Sequence, residues 1–260
     1  MTMTGLTSVE HINRPDGGYI AYRKSHGKRN DLPGVVFIHG LRSDMDGGKA
    51  ERLNEFCAER GQAYVRFDCR GHGKSSSKFE DTILSDWASD AQLVIERLTE
   101  GPQIIVGSSM GGWLMLLTAL ALPNRVSGLV GIAAAPDFTR GFYDGLSADD
   151  KALLNRDGRI YRPSQYDPEP YVFTKALLDD GNRRTVLDKK MTFKGRLRLL
   201  HGMLDEAVPW ELSLKILAQI ETNEARVQLI KDGDHRLSRE SDLRQICQAV
   251  ADLSEPNPDL

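Results

Sequence analysis

Ser109 lies in a pattern that could make its hydroxyl a nucleophile. Residues 104–113 read Ile-Ile-Val-Gly-Ser-Ser-Met-Gly-Gly-Trp, so Gly107 and Gly111 stand two positions on either side of Ser109. An apolar, β-branched run precedes this Gly-x-Ser-x-Gly pattern, and an apolar run at helical spacing follows it. The pattern predicts a strand, a tight turn and a helix, with the serine exposed on the turn. Glycines suit the flanking positions because a Cβ there would clash where strand and helix converge.

A serine hydroxyl needs a general base at neutral pH, and that base needs a carboxylate to orient it. For a serine on this kind of turn, the partners follow in the order Asp or Glu and then His, each on a loop after a late strand. Asp205 comes shortly after the apolar segment 196–200, and His235 follows the apolar segment 227–230. We therefore predict a triad of Ser109, Asp205 and His235.

Two backbone amides are the candidates for an oxyanion hole. The Met110 amide begins the helix after Ser109, where a helix N-terminus presents free N–H groups. The Leu41 amide lies in the loop His39-Gly40-Leu41, which follows an early apolar strand. Because the backbone supplies this contribution, the Leu41 side chain is free to shape the pocket.

Several neighbouring residues offer alternatives. Ser108 precedes the predicted nucleophile, and the glycine register favours Ser109 over it. Glu206 is the rival for the triad acid, but Asp205 matches the expected loop position better. Asp232 and Asp234 flank His235 along the chain, where side chains rarely face the intervening ring, so we predict that both are turn residues.

His39, His72 and His201 are predicted to have structural roles, whereas His11 and His26 are predicted to be solvated. His39 and His201 each precede a glycine at a strand end, which favours ordering of the loops by hydrogen bonding over catalysis. His72 falls in a glycine-rich turn and is predicted to be structural. The histidines show no spacing typical of a metal site, so we predict neither a metal nor another cofactor.

The elements that must position these residues alternate along the chain. Strands are predicted at 18–24, 35–38, 63–67, from 104 to the serine turn, and at 126–134, 196–200 and 227–230. Helices are predicted at 48–60, 82–98, from the serine turn to about 122, and at 211–221 and 239–253. This alternation indicates an α/β fold with a mostly parallel central sheet and helices on both faces.

The alternation breaks over residues 135–190. This stretch is rich in Asp, Arg, Tyr, Phe and Pro, with only short helical patches such as those at 147–155 and 171–179. A core of repeating strand–helix units does not need it, so we predict a lid inserted into a single domain of residues 1–260. Trp113 is predicted to belong to the core. Aromatic residues at the entrance of the lid could contact an acyl group or could only seat the lid: Phe138, Phe142 and Tyr143.

The composition is that of an ordinary globular protein. The 34 Lys and Arg against 37 Asp and Glu give a net charge of −3, so we expect no nucleic-acid partner. The longest apolar run, around residues 113–122, is too short to span a bilayer. Three cysteines lie far apart without a paired spacing, which argues for a reducing compartment. With no basic, apolar or arginine-rich leader at the start, we expect a cytoplasmic location.

Together these motifs resemble the α/β-hydrolase superfamily over essentially the whole chain. The His39-Gly40 loop, the Asp-x-Arg-Gly-x-Gly-x-Ser turn at 68–75 and the serine turn occur in the order typical of that superfamily, followed by the late Asp and His. The resemblance implies an α/β-hydrolase fold with a small lid insertion. It also implies that Ser109, Asp205 and His235 occupy the triad positions.

The resemblance extends to mitochondrial members of mammals that act as palmitoyl-protein thioesterase and acyl-glucuronide esterase. It is weaker over 135–190, where specificity is expected to reside, and the missing leader predicts a bacterial or processed homologue. We expect a serine hydrolase acting on small-molecule acyl esters or thioesters, with acylated protein as a further substrate class. Two alternatives stay open: an acyltransferase using the same triad, and a non-catalytic receptor on a hydrolase scaffold. The pattern does not predict an oligomeric state.

Overall fold

The computed structural model describes residues 8–163, 170–222 and 224–255. The strands are β1 (Glu10–Asn13), β2 (Tyr19–Ser25), β3 (Gly34–Ile38), β4 (Tyr64–Phe67), β5 (Gln103–Ser108), β6 (Val126–Ile132), β7 (Arg159–Arg162), β8 (Tyr171–Thr174), β9 (Met191–Thr192), β10 (Arg196–Gly202), β11 (Ile220–Glu221) and β12 (Glu224–Ile230). The helices are α1 (Gly48–Arg60), α2 (Leu84–Leu98), α3 (Met110–Ala121), α4 (Phe138–Asp144), α5 (Ala148–Asp157), α6 (Lys175–Arg183), α7 (Glu211–Gln219) and α8 (Glu240–Ser254).

Within the described residues, eight strands form one sheet in the order β1-β2-β4-β3-β5-β6-β10-β12. Every pairing from β4 to β12 is parallel, whereas β1 and β2 form an antiparallel hairpin whose second strand pairs antiparallel with β4. The predicted fold class, with its mostly parallel sheet, is therefore confirmed. Parallel strands end on the same side, so the loops after β3, β5, β10 and β12 meet at one edge.

Side chains alternate between the two faces of the sheet, and helices cover both. Val35 and Phe37 of β3 face α1 and α8, whereas Val36 and Ile38 face the side that carries α2 and α3. Both sets are buried, so the strand reads as a continuous apolar run. Such a run is what the sequence shows at 35–38, and it places β3 at the centre of the sheet.

The segment between β6 and β10 has its own small apolar cluster. Its buried members are Leu146, Leu154, Ile160, Phe173 and Leu178. The helix predicted over 147–155 is present as α5, and its N-cap Ser147 accepts a hydrogen bond from the Asp150 amide. The short α4 was not predicted, because seven residues give too little periodicity to read.

The helix predicted over 171–179 is wrong in its first part. Tyr171–Thr174 forms β8, which pairs antiparallel with β7, and the helix begins only at Lys175. The run Tyr-Val-Phe-Thr consists of aromatic and β-branched residues, which favour a strand. Thr174 then caps α6 by accepting a hydrogen bond from the Leu177 amide. Strand β1, also not predicted, is a mostly exposed edge strand that lacks a buried apolar pattern.

None of the helices in the described ranges is both long enough and apolar enough to cross a membrane.

Candidate active site

Ser109 stands on a strained turn between β5 and α3. Its backbone has φ 54° and ψ −117°, a conformation that costs a non-glycine residue about 1–3 kcal/mol. The end of β6 and the residues just after it hold Ser109 there: the Ser109 amide donates to the Ile132 carbonyl at 2.9 Å, and the Ser109 carbonyl accepts from the Ala135 amide at 3.0 Å. The turn is therefore fixed by β6, and it raises the serine side chain above the end of the sheet.

Glycine is required on both sides of this turn. A Cβ on Gly107 would overlap the Gly111 carbonyl oxygen and lie 2.8 Å from the Gly112 Cα. A Cβ on Gly111 would overlap the carbonyl oxygen of Ile38, at the end of β3. Helix α3 thus starts in direct backbone contact with β3 and β5, and this close approach sets the position of Ser109.

His235 connects Ser109 to Asp205. Its Nε2 lies 3.2 Å from Ser109 Oγ, and its Nδ1 lies 2.7 Å from Asp205 Oδ2. The side chain of His235 is 16% exposed and that of Asp205 is completely buried. Ser109, not its neighbour Ser108, faces the imidazole. The structure therefore brings the three residues of the predicted triad together in the order that general-base activation of a serine requires.

Backbone hydrogen bonds tie the loop that carries Asp205 to the loop that carries His235. The Met203 amide donates to the Ile230 carbonyl at 2.8 Å, and the Leu204 amide donates to the Gly233 carbonyl at 2.9 Å. Gly202 packs so closely on this second loop that a Cβ would overlap the Gly233 backbone. The separation between the carboxylate and the imidazole is thus set by main-chain contacts.

The two aspartates that flank His235 are turn residues. Asp234 accepts hydrogen bonds from the amides of Arg236 (3.1 Å) and Leu237 (2.9 Å), and Asp232 forms an ion pair with Arg239. Neither contact involves the His235 ring. This placement agrees with the roles predicted from the sequence.

Asp205, and not Glu206, reaches the imidazole. Asp205 Oδ1 accepts from the amides of Ala207 (2.9 Å) and Val208 (2.8 Å), while the Glu206 side chain belongs to an exposed residue. Burial disfavours the charged form of Asp205, but the hydrogen bonds from His201 and His235 outweigh it. The pKa of the Asp205 carboxyl is consequently held well below its usual range. The group is a stable anion at neutral pH.

His201 has a more direct contact with this site than the sequence indicated. It is fully buried at the end of β10, and its Nε2 lies 3.1 Å from Asp205 Oδ2. Its Nδ1 lies 2.8 Å from Ser213 Oγ on α7. The sequence pattern predicted an ordering role, and the only signal for a contact with Asp205 was the four-residue spacing between them.

Lys49 is a second residue that sequence reasoning missed. From the first turn of α1, its Nζ donates to the Arg236 carbonyl at 2.6 Å, next to His235. Burial, together with the nearby Arg236 charge, lowers the pKa of Lys49 to about 8. Nothing in the sequence links these positions, which are 187 residues apart. The contact ties α1 to the loop that carries His235.

The loop after β3 lies directly against Ser109. A Cβ on Gly40 would be 3.4 Å from both the Ser109 Cβ and the Ser108 carbonyl oxygen, so the space beside the serine is narrow. Met110 is the first residue of α3, where the amide has no acceptor within the helix. The amides of Leu41 and Met110 thus belong to the two backbone segments next to Ser109, where a developing oxyanion needs donors.

His39 orients the Gly40–Leu41 peptide. Its Nδ1 lies 2.7 Å from the Gly40 carbonyl, and its Nε2 accepts a hydrogen bond from the Cys69 amide at 3.1 Å. Burial lowers the pKa of His39, so the ring is neutral with its proton on Nδ1. Since the C=O and N–H of a trans peptide point in opposite directions, the Leu41 amide is turned away from the imidazole.

The segment between β6 and β10 contacts this loop through Leu41. The Leu41 side chain packs against the main core and also against the small apolar cluster of that segment. Phe138, Phe142 and Tyr143 border the same cluster, and Phe142 stacks on Phe173 with ring centroids 3.9 Å apart. Trp113 is fully buried and meets the edge of Phe138 at 5.5 Å. The contact between Phe138 and Trp113 joins the segment to α3.

No group of three His, Cys, Asp or Glu side chains in the described ranges is arranged to hold a metal ion. His72, in the glycine-rich turn, packs against both Phe79 and Trp87, and its ring centroid lies 5.2 Å from that of each. Burial, with the nearby His39, lowers its pKa to about 3. The groups that meet at Ser109 are its hydroxyl, the His235 imidazole and the buried Asp205 carboxylate.

The chain is similar to a known family and to several named proteins. A model described as the alpha/beta hydrolase family matches residues 35–253. Human mitochondrial palmitoyl-protein thioesterase ABHD10 is 36% identical over 248 residues, which cover 95% of this chain and 80% of the relative. The bovine protein of the same name gives the same identity and coverage.

Solved structures show the same relationship. Mouse alpha/beta hydrolase domain-containing protein 10 superimposes with a TM-score of 0.88 at 35% identity, covering 95% of this chain and 98% of the other. A protein from Agrobacterium vitis S4 superimposes with a TM-score of 0.91 at 34% identity, covering 96% and 99%. The similarity therefore extends over nearly the full length of each chain.

Proposed function

This chain belongs to the alpha/beta hydrolase family, and we propose that it is a serine hydrolase that cleaves acyl esters or thioesters through an acyl-Ser109 intermediate. The observation that carries the proposal is the chain of contacts from Ser109 Oγ through His235 to Asp205, at 3.2 and 2.7 Å. A receptor that only bound a ligand would not need a base aligned on a strained serine.

The chemistry follows from these groups. Ser109 Oγ attacks the acyl carbon while His235 Nε2 takes the hydroxyl proton, and the buried Asp205 anion stabilises the imidazolium that forms. The carbonyl oxygen becomes an oxyanion, which the amides of Leu41 and Met110 receive. His235 then gives its proton to the departing alcohol or thiol as the bond from the acyl carbon breaks. In the second half of the reaction, His235 takes a proton from water as the water attacks the acyl-Ser109 ester. His235 then gives that proton to Ser109 Oγ as the acid is released.

For the substrate, we propose a small-molecule acyl ester or thioester, with an acylated protein as the second class. The human and bovine relatives are named palmitoyl-protein thioesterases, which supports thioesters as a substrate class of this chain. We also propose that residues 135–190 act as a lid, because Phe138, Phe142 and Tyr143 border the cluster that meets Leu41 beside the serine. Aromatic side chains there would contact the acyl group.

The test is hydrolysis of a chain-length series of matched acyl esters and acyl thioesters. Wild type should hydrolyse members of the series, and Ser109→Ala should lose at least about 10³-fold in kcat/KM. Ser108→Ala is the matched control and should keep most of the activity. A rate that rises toward long-chain thioesters indicates depalmitoylation. Activity limited to short or aryl esters indicates a general carboxylesterase. Full activity of Ser109→Ala would overturn the proposal.

An acyltransferase using the same triad is distinguished in the same assay. The site of an acyltransferase excludes water. An added alcohol or thiol acceptor would therefore take the acyl group, and less free acid would form. Under our proposal the free acid stays the main product.

We further propose a cytoplasmic location. Cys57, Cys69 and Cys247 are all buried and unpaired, which suits a reducing compartment. Cell fractionation with an antibody to the protein tests this, and recovery in any other compartment, mitochondria included, would contradict it.

A further inference from the structure

The carboxylate of Asp205 has two imidazole neighbours on the same oxygen. His235 Nδ1 lies 2.7 Å from Oδ2, and His201 Nε2 lies 3.1 Å from that same atom. With the amides of Ala207 and Val208 on Oδ1, four donors surround the carboxylate. A carboxylate can accept about four hydrogen bonds, so every lone pair of this fully buried group has a donor.

The partners of His201 determine where its proton lies. Nε2 faces two acceptors, the ionised Asp205 and the Val208 carbonyl, each at 3.1 Å, so Nε2 carries a hydrogen. Nδ1 faces Ser213 Oγ at 2.8 Å, and this hydroxyl can donate to the ring nitrogen. In the neutral ring, Ser213 thus selects the tautomer that donates to Asp205.

We propose that His201 is a positioning residue of the triad, whose Nε2–H holds the Asp205 carboxylate in the orientation that meets His235. The proposal rests on the proposed serine hydrolase function. The main chain sets the distance between the two loops and the amides of Ala207 and Val208 hold Oδ1, whereas the donors on Oδ2 are the side chains of His235 and His201. His201 supplies the second donor from β10, the strand that leads into the Asp205 loop. A continuous chain of hydrogen bonds then connects α7 to the nucleophile, through Ser213, His201, Asp205, His235 and Ser109.

A matched pair of variants tests this contact. The amide of Gln reaches the position of the histidine Nε2, whereas the shorter Asn reaches only that of Nδ1. His201→Asn therefore keeps a polar group near Ser213 but loses the donor to Asp205, and His201→Gln keeps that donor. We expect His201→Asn to lower kcat about ten- to hundredfold, the range for a hydrogen bond to a charged group. We expect KM to stay within about twofold, and His201→Gln to recover most of the kcat.

The split between kcat and KM separates positioning from a general structural role. If His201 holds Asp205 in place, His201→Asn lowers kcat per folded molecule with little change in KM, and His201→Gln restores it. A merely structural role would instead reduce the amount of folded enzyme in both variants and leave kcat per folded molecule unchanged. Thermal unfolding of each variant gives the folded fraction.

A second readout does not depend on activity. In the wild type, the downfield region of the proton NMR spectrum should contain imidazole N–H signals from His201 and His235 bonded to Asp205. His201→Asn should remove one signal and shift the other, and Ser213→Ala should weaken the His201 signal. An unshifted His235 signal in folded His201→Asn, or equal kcat in His201→Asn and wild type, would overturn the proposal.

Failure of the proposed function gives a different pattern. In that case the wild type would show no hydrolysis, and Ser109 would not be labelled by a fluorophosphonate. The NMR comparison would then still report whether His201 holds Asp205 against His235.

Discussion

His235 Nδ1 lies 2.7 Å from Asp205 Oδ2, although 30 residues and a whole strand–helix unit separate the two along the chain. The contact is produced by the parallel pairing of β10 with β12, which ends both strands at the same level, and by main-chain bonds between the two loops. The geometry of the site is therefore set by how the loops pack at the carboxyl ends of the parallel strands.

Replacing Asp205 by Asn should abolish most of the activity while Glu206→Gln should not. An amide cannot stabilise the His235 imidazolium and presents the wrong hydrogen-bonding pattern to both imidazoles, so we expect a loss of about 10⁴-fold in kcat. Glu206 belongs to the same loop but is exposed. Steady-state kinetics of both variants on one aryl ester checks this. Equal losses would show that the loop, and not the carboxylate, matters.

Adding a methyl group at Gly111 should damage both stability and activity. The new Cβ would overlap the Ile38 carbonyl oxygen, which would push α3 and Ser109 away from β3. We expect a loss of roughly 1–3 kcal/mol in the free energy of unfolding, together with reduced kcat. Gly141→Ala is the control, because this α4 position is exposed and no atom lies within 4 Å of its Cβ. That variant should gain about 0.5–1 kcal/mol in urea unfolding.

Burial of His72 should make the fold sensitive to mild acid. The pKa of His72 is lowered from near 6.5 to about 3 by burial and the nearby His39, so only the unfolded chain binds the proton between these values. The free energy of unfolding contributed by this group is therefore fully present above pH 6.5 and is lost as the pH falls toward 3. His72→Phe should lose less stability than wild type between pH 7 and pH 4.5 in urea unfolding.

His26→Gln, at an exposed position, is the control for this measurement and should follow the wild type. A His72→Phe variant with the same loss as wild type between the two pH values would refute the assignment.

Asp137 should hold the two ends of the segment between β6 and β10 together. It adopts a left-handed conformation (φ 60°) and accepts hydrogen bonds from the amides of Val186 (2.9 Å) and Leu187 (3.0 Å). Asp137→Ala leaves both amides without this acceptor, at a local cost of about 1–3 kcal/mol. Hydrogen exchange should accelerate at residues 186–187 and in α4. Asp144→Ala, at the exposed end of α4, should leave exchange at 186–187 unchanged.

If the segment also serves as the proposed lid, Asp137→Ala should change KM for long-chain substrates more than for short ones, since Phe138 adjoins it in sequence. A change in exchange without any change in KM would separate the anchoring role from the lid role.

The amino-acid sequence was sufficient for the features that depend on local chemistry. Gly107 and Gly111 around Ser109 identify the turn, because only glycine tolerates the backbone contacts there. The alternation of apolar strands with amphipathic helices determines the mostly parallel sheet, since each element must bury its apolar face. The order of Ser109, Asp205 and His235, each after an apolar strand, made them the candidate triad before any distance was known.

The local pattern was insufficient where neighbours in space compete with neighbours in sequence. Tyr171–Thr174 became a strand because β7 was available to pair with it, which no periodicity could show. The edge strand β1 likewise depends on β2 for its hydrogen bonds.

Only the tertiary structure decided which side chains share the Asp205 carboxylate. His201 on β10 contacts Asp205, Ser213 on α7 contacts His201, and Lys49 on α1 contacts the loop of His235. Each of these contacts depends on how the elements pack. A hydrogen bond requires placement to within a few tenths of an ångström, whereas a sequence pattern specifies only the element and its face. The sequence by itself therefore determined the candidate groups and their common edge, and the packing of the loops determined which of them touch.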